Sequence, residues 1–227
     1  MTYVISDIHG CYDKYMHMLH KINFSSFDTL YVLGDVVDRG PDVMKIVLDL
    51  AVRKNVITLK GNHDHEAFIL LKNVIMPDDG QKADEFAERL RLWLYDGGIT
   101  TYETFLKLCD NERKTVLSFL YNMLPFKEFK IGNQRYFMSH TVPAKAKMLD
   151  FSNCSDSDFI MGKPEYEKKY FEDRIIITGH TPTAFIDTNY HGRIWRGNNH
   201  IAVDCGAVFG NALGCICLET GEEFYTE

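Results

Sequence analysis

Short runs of β-branched, aromatic and aliphatic residues alternate along the chain with longer stretches whose apolar positions recur every three or four residues. Thr2-Tyr-Val-Ile5, Thr29-Leu-Tyr-Val-Leu33 and Val56-Ile-Thr-Leu59 are of the first kind and predict buried strands. Between them, Tyr15, Met18, Leu19 and Ile22 line one face of a predicted helix over residues 12–22. Val43, Ile46, Val47 and Leu50 form the stripe of a second helix, with Pro41 suited to its first turn. The opening third therefore reads β-α-β-α-β, as a partly parallel sheet requires.

The period changes after Glu66. Residues 67–74, 84–95, 101–108 and 111–124 all carry helical spacing, giving a helical insert over about residues 66–125 that should wall or cap a site. Trp93 is expected to pack inside it, and Gly97-Gly98 to end a helix and let backbone approach the site. From Phe126 the pattern turns strand-rich. Gly132-Asn133 marks a hairpin inside residues 129–137. Further strands follow at Ile175-Ile-Ile177, His200-Ile-Ala-Val-Asp204 and Ala212-Leu-Gly-Cys-Ile-Cys-Leu218, with His191-Gly192 as an exposed turn. No repeat, low-complexity tract or linker interrupts residues 1–227. The expected architecture is one α/β domain, two mixed sheets face to face with helices outside.

The polar residues follow a rule of their own. Each strand-like run is followed at once by a residue able to bind a cation: Asp7 and His9, then Asp35, Asn62, His140 and His180. Gly34-Asp-Val-Val-Asp-Arg-Gly40 is the densest case, with Asp35, Asp38 and Arg39 held between glycines. Carboxylates gathered this way repel one another and resist desolvation, so a cation is the natural reason to cluster them. Ligands of open α/β sheets bind in the crevice beyond the strand ends. Five strands ending in Asp, His or Asn would ring one such crevice.

Composition narrows the field further. With 45% hydrophobic and 13% aromatic residues the chain can build a sizeable core. No stretch approaches the roughly 18 apolar residues of a membrane span, and no signal peptide is visible, so a cytoplasmic location is expected. A formal charge of −7 (25 basic against 32 acidic residues) and the lack of a long basic run argue against a general nucleic-acid surface. The six cysteines show no C-x-x-C spacing, so neither disulfides nor a zinc ribbon is expected; Cys215 and Cys217 should face the core.

The blocks Ser6-Asp-Ile-His-Gly10, Gly34-Asp-Val-Val-Asp-Arg-Gly40, Gly61-Asn-His-Asp64, Ser139-His140 and Gly179-His-Thr181 resemble, in order, those of the calcineurin-like metallophosphoesterases. The likeness is to the phosphoprotein-phosphatase branch, and in length to its short bacterial and phage-lambda-type serine/threonine phosphatases. Asp204-Cys-Gly-Ala-Val-Phe-Gly210 is similar to bacterial members as well. The resemblance implies two divalent ions, one on Asp7, His9 and Asp35 and a second on Asp35, Asn62, His140 and His180. Asp35 would bridge them, and its two oxygens can span ions about 3.5–4 Å apart. Manganese is the first expectation by family, and the mixed donor set also suits iron, zinc or nickel. A metal-bridging hydroxide would attack phosphorus directly, with His63 as general acid, Asp38 orienting its ring and Arg39 gripping phosphate oxygens.

Four positions depart from the family pattern. Ser6 replaces a glycine, and Thr141-Val-Pro143 replaces a small residue and glycine after His140. Lys60 and Lys163 stand where arginines are usual, supplying charge to bind substrate but no bidentate fork. His17 and His20 read as surface or packing residues, and His65 and His200 have no assigned role. The first functional expectation is a phosphoserine/phosphothreonine protein phosphatase. The alternative is a symmetrical diadenosine tetraphosphate hydrolase, cleaving a phosphoanhydride of a small dinucleotide. A non-catalytic metal-binding module is disfavoured, because it would need no general acid.

Overall fold

A computed structural model describes residues 1–77, 83–143, 147–149 and 153–226. Strands β1 (Thr2–Ile5), β2 (Thr29–Val32) and β3 (Val56–Thr58) are parallel neighbours, joined by helices α1 (Tyr12–Lys21) and α2 (Val43–Val52). Helices α3 (Asn62–Ile75), α4 (Ala83–Trp93), α5 (Ile99–Leu106) and α6 (Asp110–Asn122) follow in one block. Strands β4 (Phe126–Ile131) and β5 (Gln134–Ser139) form the hairpin expected around Gly132-Asn133. Then come α7 (Asp156–Ile160), β6 (Arg174–Thr178), α8 (Thr183–Ile186), β7 (Trp195–Gly197), β8 (His200–Ala202), β9 (Leu213–Cys217) and β10 (Glu223–Thr226). They build two five-stranded sheets, ordered β10-β9-β1-β2-β3 and β4-β5-β6-β8-β7.

The period of two along each strand explains the layering. In β1, Tyr3 and Ile5 face the helices α1 and α2, while Val4 faces the second sheet. In and just after β2, Leu30 and Val32 divide from Tyr31 and Leu33 in the same way, and in β9 Cys215 and Cys217 divide from Ile216. The second sheet repeats the scheme. Tyr136, Met138 and Ile177 meet the first sheet, whereas Phe137 and Ile176 join Phe159 and Tyr170 on the outer side. Stacking of Tyr31 on Phe129, with centroids 5.5 Å or less apart along the Tyr31–Phe129–Tyr136 series, ties the sheets together. Two central strands buried on both faces leave no room for a polar side chain until the strand ends. The polar residues therefore emerge together at one edge. All six cysteines are free, and Cys215 and Cys217 are buried as expected. Among the described residues, no helix is long and apolar enough to cross a membrane.

Several boundaries differ from the sequence reading. Helix α3 begins at Asn62 rather than 67, because Gly61 caps it and the Asp64 carboxylate accepts the Gly61 N–H at 2.9 Å. Pro41 lies in a turn ahead of α2 rather than inside it. Gly97-Gly98 does not simply stop a helix. It closes a π-helical turn, Leu94–Gly98, from which α5 restarts at Ile99; Gly97 there has φ 105°, a value open mainly to glycine.

Candidate metal centre and catalytic site

The tips of β1, β2, β5 and β6 and the start of α3 converge between the two sheets. To aim their side chains inward, the backbone bends sharply as it leaves each strand. Asp7, His9, Asp35, Asp38, Arg39 and His180 all have positive φ, between 42° and 69°. Left-handed backbone costs a non-glycine residue on the order of 1 kcal/mol. Six such residues in one crevice are strain that only a shared task explains. Close approach does the rest: a side chain at Gly61 or Gly179 would strike the carboxylates of Asp35 and Asp7 respectively.

One group of donors is His140 Nε2, His180 Nδ1 and the Asn62 amide oxygen, mutually 2.9, 2.9 and 3.1 Å apart. The Nδ1–H of His140 is spent on Leu33 O at 2.7 Å, so Nε2 carries its lone pair. With the ring neutral, lone pairs face lone pairs, and a proton or a metal ion must sit among them. Asp35 Oδ2 lies 3.3 Å from His140 Nε2 and 3.5 Å from His9 Nε2, between the two groups. His9 repeats the logic, its Nδ1–H donating to Val37 O at 2.7 Å and leaving the Nε2 lone pair toward the crevice, where Arg39 Nη1 donates to it. Asp7 lies alongside, held by the Ser6 hydroxyl and by the His180 N–H at 2.9 Å. The Ser6 departure thus touches a predicted ligand directly.

Electrostatics agree with a cation site. Burial pulls His9 down to about 3 and His180 to about 4, keeping both imidazoles in the neutral form that ligates metals. Burial also disfavours charge on His140, but Asp35 and Asp7 outweigh it and carry the ring up to about 10. A position that attracts a proton this strongly attracts a metal ion for the same reason. Asp35 sits well below the carboxylate range, burial opposing its charge and the surrounding histidines restoring it.

His63 occupies the other side of this cluster. Its Nδ1–H donates to Asp38 Oδ2 at 2.7 Å, and its Nε2 faces outward to Arg39 Nη2 at 2.8 Å. Burial works against the charged ring, yet Asp35 and Asp38 together raise its pKa above the ordinary histidine value. Arg39 reaches both His63 and His9, the latter at 2.9 Å through Nη1. All nine residues of the predicted ligand set and catalytic trio meet in one crevice. The two lysines do not join them. Lys60 is paired with Asp156 at 3.1 Å, and Lys163 is exposed. Among the described residues, no hydrogen bond or ion pair links either lysine to the ligand cluster.

The supporting role of five residues escaped the sequence reading. The Trp93 Nε1–H donates to Asp38 Oδ2 at 2.7 Å, and the Thr101 hydroxyl donates to Asp38 Oδ1 at 2.6 Å. Trp93 is buried as expected, but it is also a hydrogen-bond donor to the orienting carboxylate. Asp64 accepts the backbone N–H groups of Asp35 at 2.7 Å and Val36 at 3.0 Å besides that of Gly61, lashing the Asp35 loop to the Asn62 loop. Asp204 follows β8, a sixth strand end with a buried carboxylate; burial and then Asp7 push its pKa well up. Asp96, 68% exposed on the π-turn, brings its carboxylate 3.7 Å from His63 Nε2 and 3.8 Å from Arg39 Nη2. Asp64 and Asp204 stand inside family-like blocks and Trp93 reads as packing, but the sequence gives none of them a part in the site; Thr101 and Asp96 leave no trace.

Residues 2–209 match the family model described as calcineurin-like phosphoesterase. The chain belongs to that family. A symmetrical bis(5'-nucleosyl)-tetraphosphatase from Buchnera aphidicola subsp. Acyrthosiphon pisum (strain 5A) is 35% identical over 127 residues, 52% of this chain and 43% of that protein. Its namesake from Escherichia coli O139:H28 is 46% identical over 67 residues, 28% of this chain and 23% of that protein. The matched stretch spans less than half the length of these relatives. Among solved structures, a candidate diadenosine tetraphosphatase superposes with a TM-score of 0.69 at 17% identity, over 99% of this chain and 92% of that one. A serine/threonine phosphatase from Saccharomyces cerevisiae gives 0.61 at 15% identity, over 100% and 80%. These structural likenesses speak for the shared fold.

Proposed function

We propose that this calcineurin-like phosphoesterase hydrolyses a phosphoanhydride bond in symmetrical dinucleoside tetraphosphates, releasing two nucleoside diphosphates. The protein-phosphatase expectation gives way here. Its support is a likeness of fold at 15% identity, whereas the relatives found by sequence, at 35% identity over 127 residues, bear the tetraphosphatase name. The observation that carries the reading on the molecule itself is the cavity of about 530 Å³ beside His63, walled by Leu92, Trp93, Tyr95 and Met161. A chamber lined by these apolar and aromatic residues together with polar His65, Glu66, Arg89 and Asp96, next to the residue that would protonate the leaving group, suits a nucleoside with its flat base and polar sugar.

Asp7, His9 and Asp35 would hold one divalent ion, and Asp35, Asn62, His140 and His180 a second, with manganese the first choice. Such a pair supplies Lewis acidity at the phosphoryl oxygens and a water of lowered pKa. The chain's own residues account for the remainder. Arg39 exchanges its contacts with His9 and His63 for phosphate oxygens, to which its planar fork is matched. That exchange frees the His63 Nε2 lone pair to take up a proton from solvent, which the raised pKa of the ring favours, and to pass it to the leaving oxygen as water adds to phosphorus and the bridging P–O bond breaks. Asp38 holds Nδ1–H and favours the protonated ring, and Trp93 and Thr101 fix Asp38 in turn.

The deciding experiment offers one Mn²⁺-supplemented preparation three substrates: diadenosine tetraphosphate, a phosphopeptide and p-nitrophenyl phosphate. A kcat/KM at least tenfold higher on the dinucleotide is expected, with ADP as the nucleotide product. Preference for the phosphopeptide would reinstate the protein-phosphatase reading, and inactivity on all three would favour a binding module.

A further inference from the structure

Two uncovered aromatic rings stand on turns that touch Arg39. Tyr95 is 90% exposed and Phe209 62% exposed, yet each stands on a turn the fold holds firmly. The π-turn carrying Tyr95 is fastened at Gly97, whose carbonyl accepts the Arg39 N–H at 2.9 Å. The 3₁₀ turn Ala207–Phe209 is bounded by Gly206 and Gly210, both left-handed. Lys14 Nζ clamps it by donating to Ala207 O at 3.1 Å and to Asn211 O, and the Gly206 N–H donates to Asp204 Oδ1 at 2.8 Å. Phe209 lies 5.5 Å from the Arg39 guanidinium carbon. One ring thus stands on a turn bonded to the backbone of the phosphate-gripping arginine, and the other lies against its head group.

Charge says what should cover them. In the cavity beside Tyr95 the one guanidinium, Arg89, is already engaged by both Glu66 oxygens at 2.6 Å, and Asp96 adds a negative charge. Such walls offer nothing to a further phosphate and a flat apolar surface to an uncharged ring. Resting on the function proposed above, we infer that Tyr95 and Phe209 are paired nucleobase platforms. Tyr95 takes the base of the leaving nucleotide beyond His63, and Phe209 takes the base at the other end of the phosphate chain, beyond Arg39. A substrate with a base at each end fills both, which a simple phosphomonoester does not.

The test compares kcat/KM for diadenosine tetraphosphate, adenosine 5'-tetraphosphate and inorganic tripolyphosphate, which carry two, one and no bases. It uses the full chain with Mn²⁺, as wild type, Tyr95→Ala, Phe209→Ala, the double variant and Phe209→Trp. Base–aromatic stacking of about 1–3 kcal/mol predicts that each alanine lowers the dinucleotide-to-tripolyphosphate ratio about tenfold and the pair about a hundredfold. Phe209→Trp should hold the wild-type ratio. An unchanged ratio in the alanine variants overturns the platforms while the dinucleotide reading stands. Equal losses on all three substrates would mean that Phe209 merely steadies Arg39, and would overturn them too. A wild type that leaves the dinucleotide intact sinks the functional reading and this inference with it.

Discussion

The two sides of the crevice are built on different principles. On the strand side, Asp7, His9, Asp35 and His180 leave β-strands through left-handed backbone, and the ring nitrogens of His140 and His180 meet 3.1 Å apart beside Asp35. On the insert side, α4, the π-turn and α5 contribute no metal ligand of the predicted set. Their residues act through others: Trp93 and Thr101 on Asp38, Gly97 on the Arg39 backbone. The contrast teaches that one side creates the demand for cations while the other sets the direction of a proton and a guanidinium. Damage to each should therefore fail differently, in metal content on the first side and in turnover on the second.

The largest effect is expected from Asp35→Asn. Its carboxylate is the only group shared by both donor sets, and an amide in its place removes the negative charge that offsets the histidines. Metal content by plasma mass spectrometry should fall from two ions per chain to one or fewer, with kcat down by more than about a thousandfold, as expected when a term of several kcal/mol is lost. Retention of two ions would break the strand-side account. His63→Asn comes next. Metal content should stay at two, while kcat falls by about 10²–10⁴, the usual worth of a positioned general acid. Full activity on a substrate with a poor leaving group would remove His63 from the reaction.

That division also decided what could be read from sequence. The strand side was legible because a buried run of period two has a definite end, and whatever polar residue follows must emerge at the sheet edge. Asp7, Asp35, His140 and His180 each stand within three residues of such an end. The insert side has no comparable marker. Trp93 and Thr101 reach Asp38 across 55 and 63 residues of chain, and nothing in helical periodicity distinguishes a tryptophan that packs from one that packs and donates. Asn62 and His63 were found but placed ahead of a helix they begin, because glycine is a weaker N-cap signal than serine or aspartate. Lys60 and Lys163 were carried over from position in a motif alone, with no periodicity to say where their long side chains point.

The Asp38 clamp gives an effect of middle size. Trp93→Phe keeps the ring's bulk and deletes one donor, and Thr101→Val deletes the other while preserving shape. Each leaves a buried carboxylate oxygen one partner short, which costs about 1–3 kcal/mol where no water replaces it. Spread over orientation of His63, that predicts about a tenfold loss of kcat per variant with KM nearly unchanged. The double variant should lose less than the product, since both act through one carboxylate. A strictly multiplicative loss would mean that the two donors serve separate ends.

Asp96→Asn probes the place, among the described residues, where a carboxylate of the insert side meets Arg39 and His63. The carboxylate lies 3.8 Å from Arg39 Nη2 and is 68% exposed, so water and salt weaken both its attraction to the guanidinium and its repulsion of an incoming anion. Removing the charge should lower KM for a phosphate-rich substrate by about two- to fivefold, the range of an exposed pair. The gain should shrink as ionic strength rises from 50 to roughly 500 mM, where the screening length drops below about 5 Å. Metal content should not move, because Asp96 belongs to neither donor set. If KM rose instead, Asp96 would be a recognition group for the leaving nucleoside, acting beside Tyr95 in the same cavity, rather than a charge the substrate must displace.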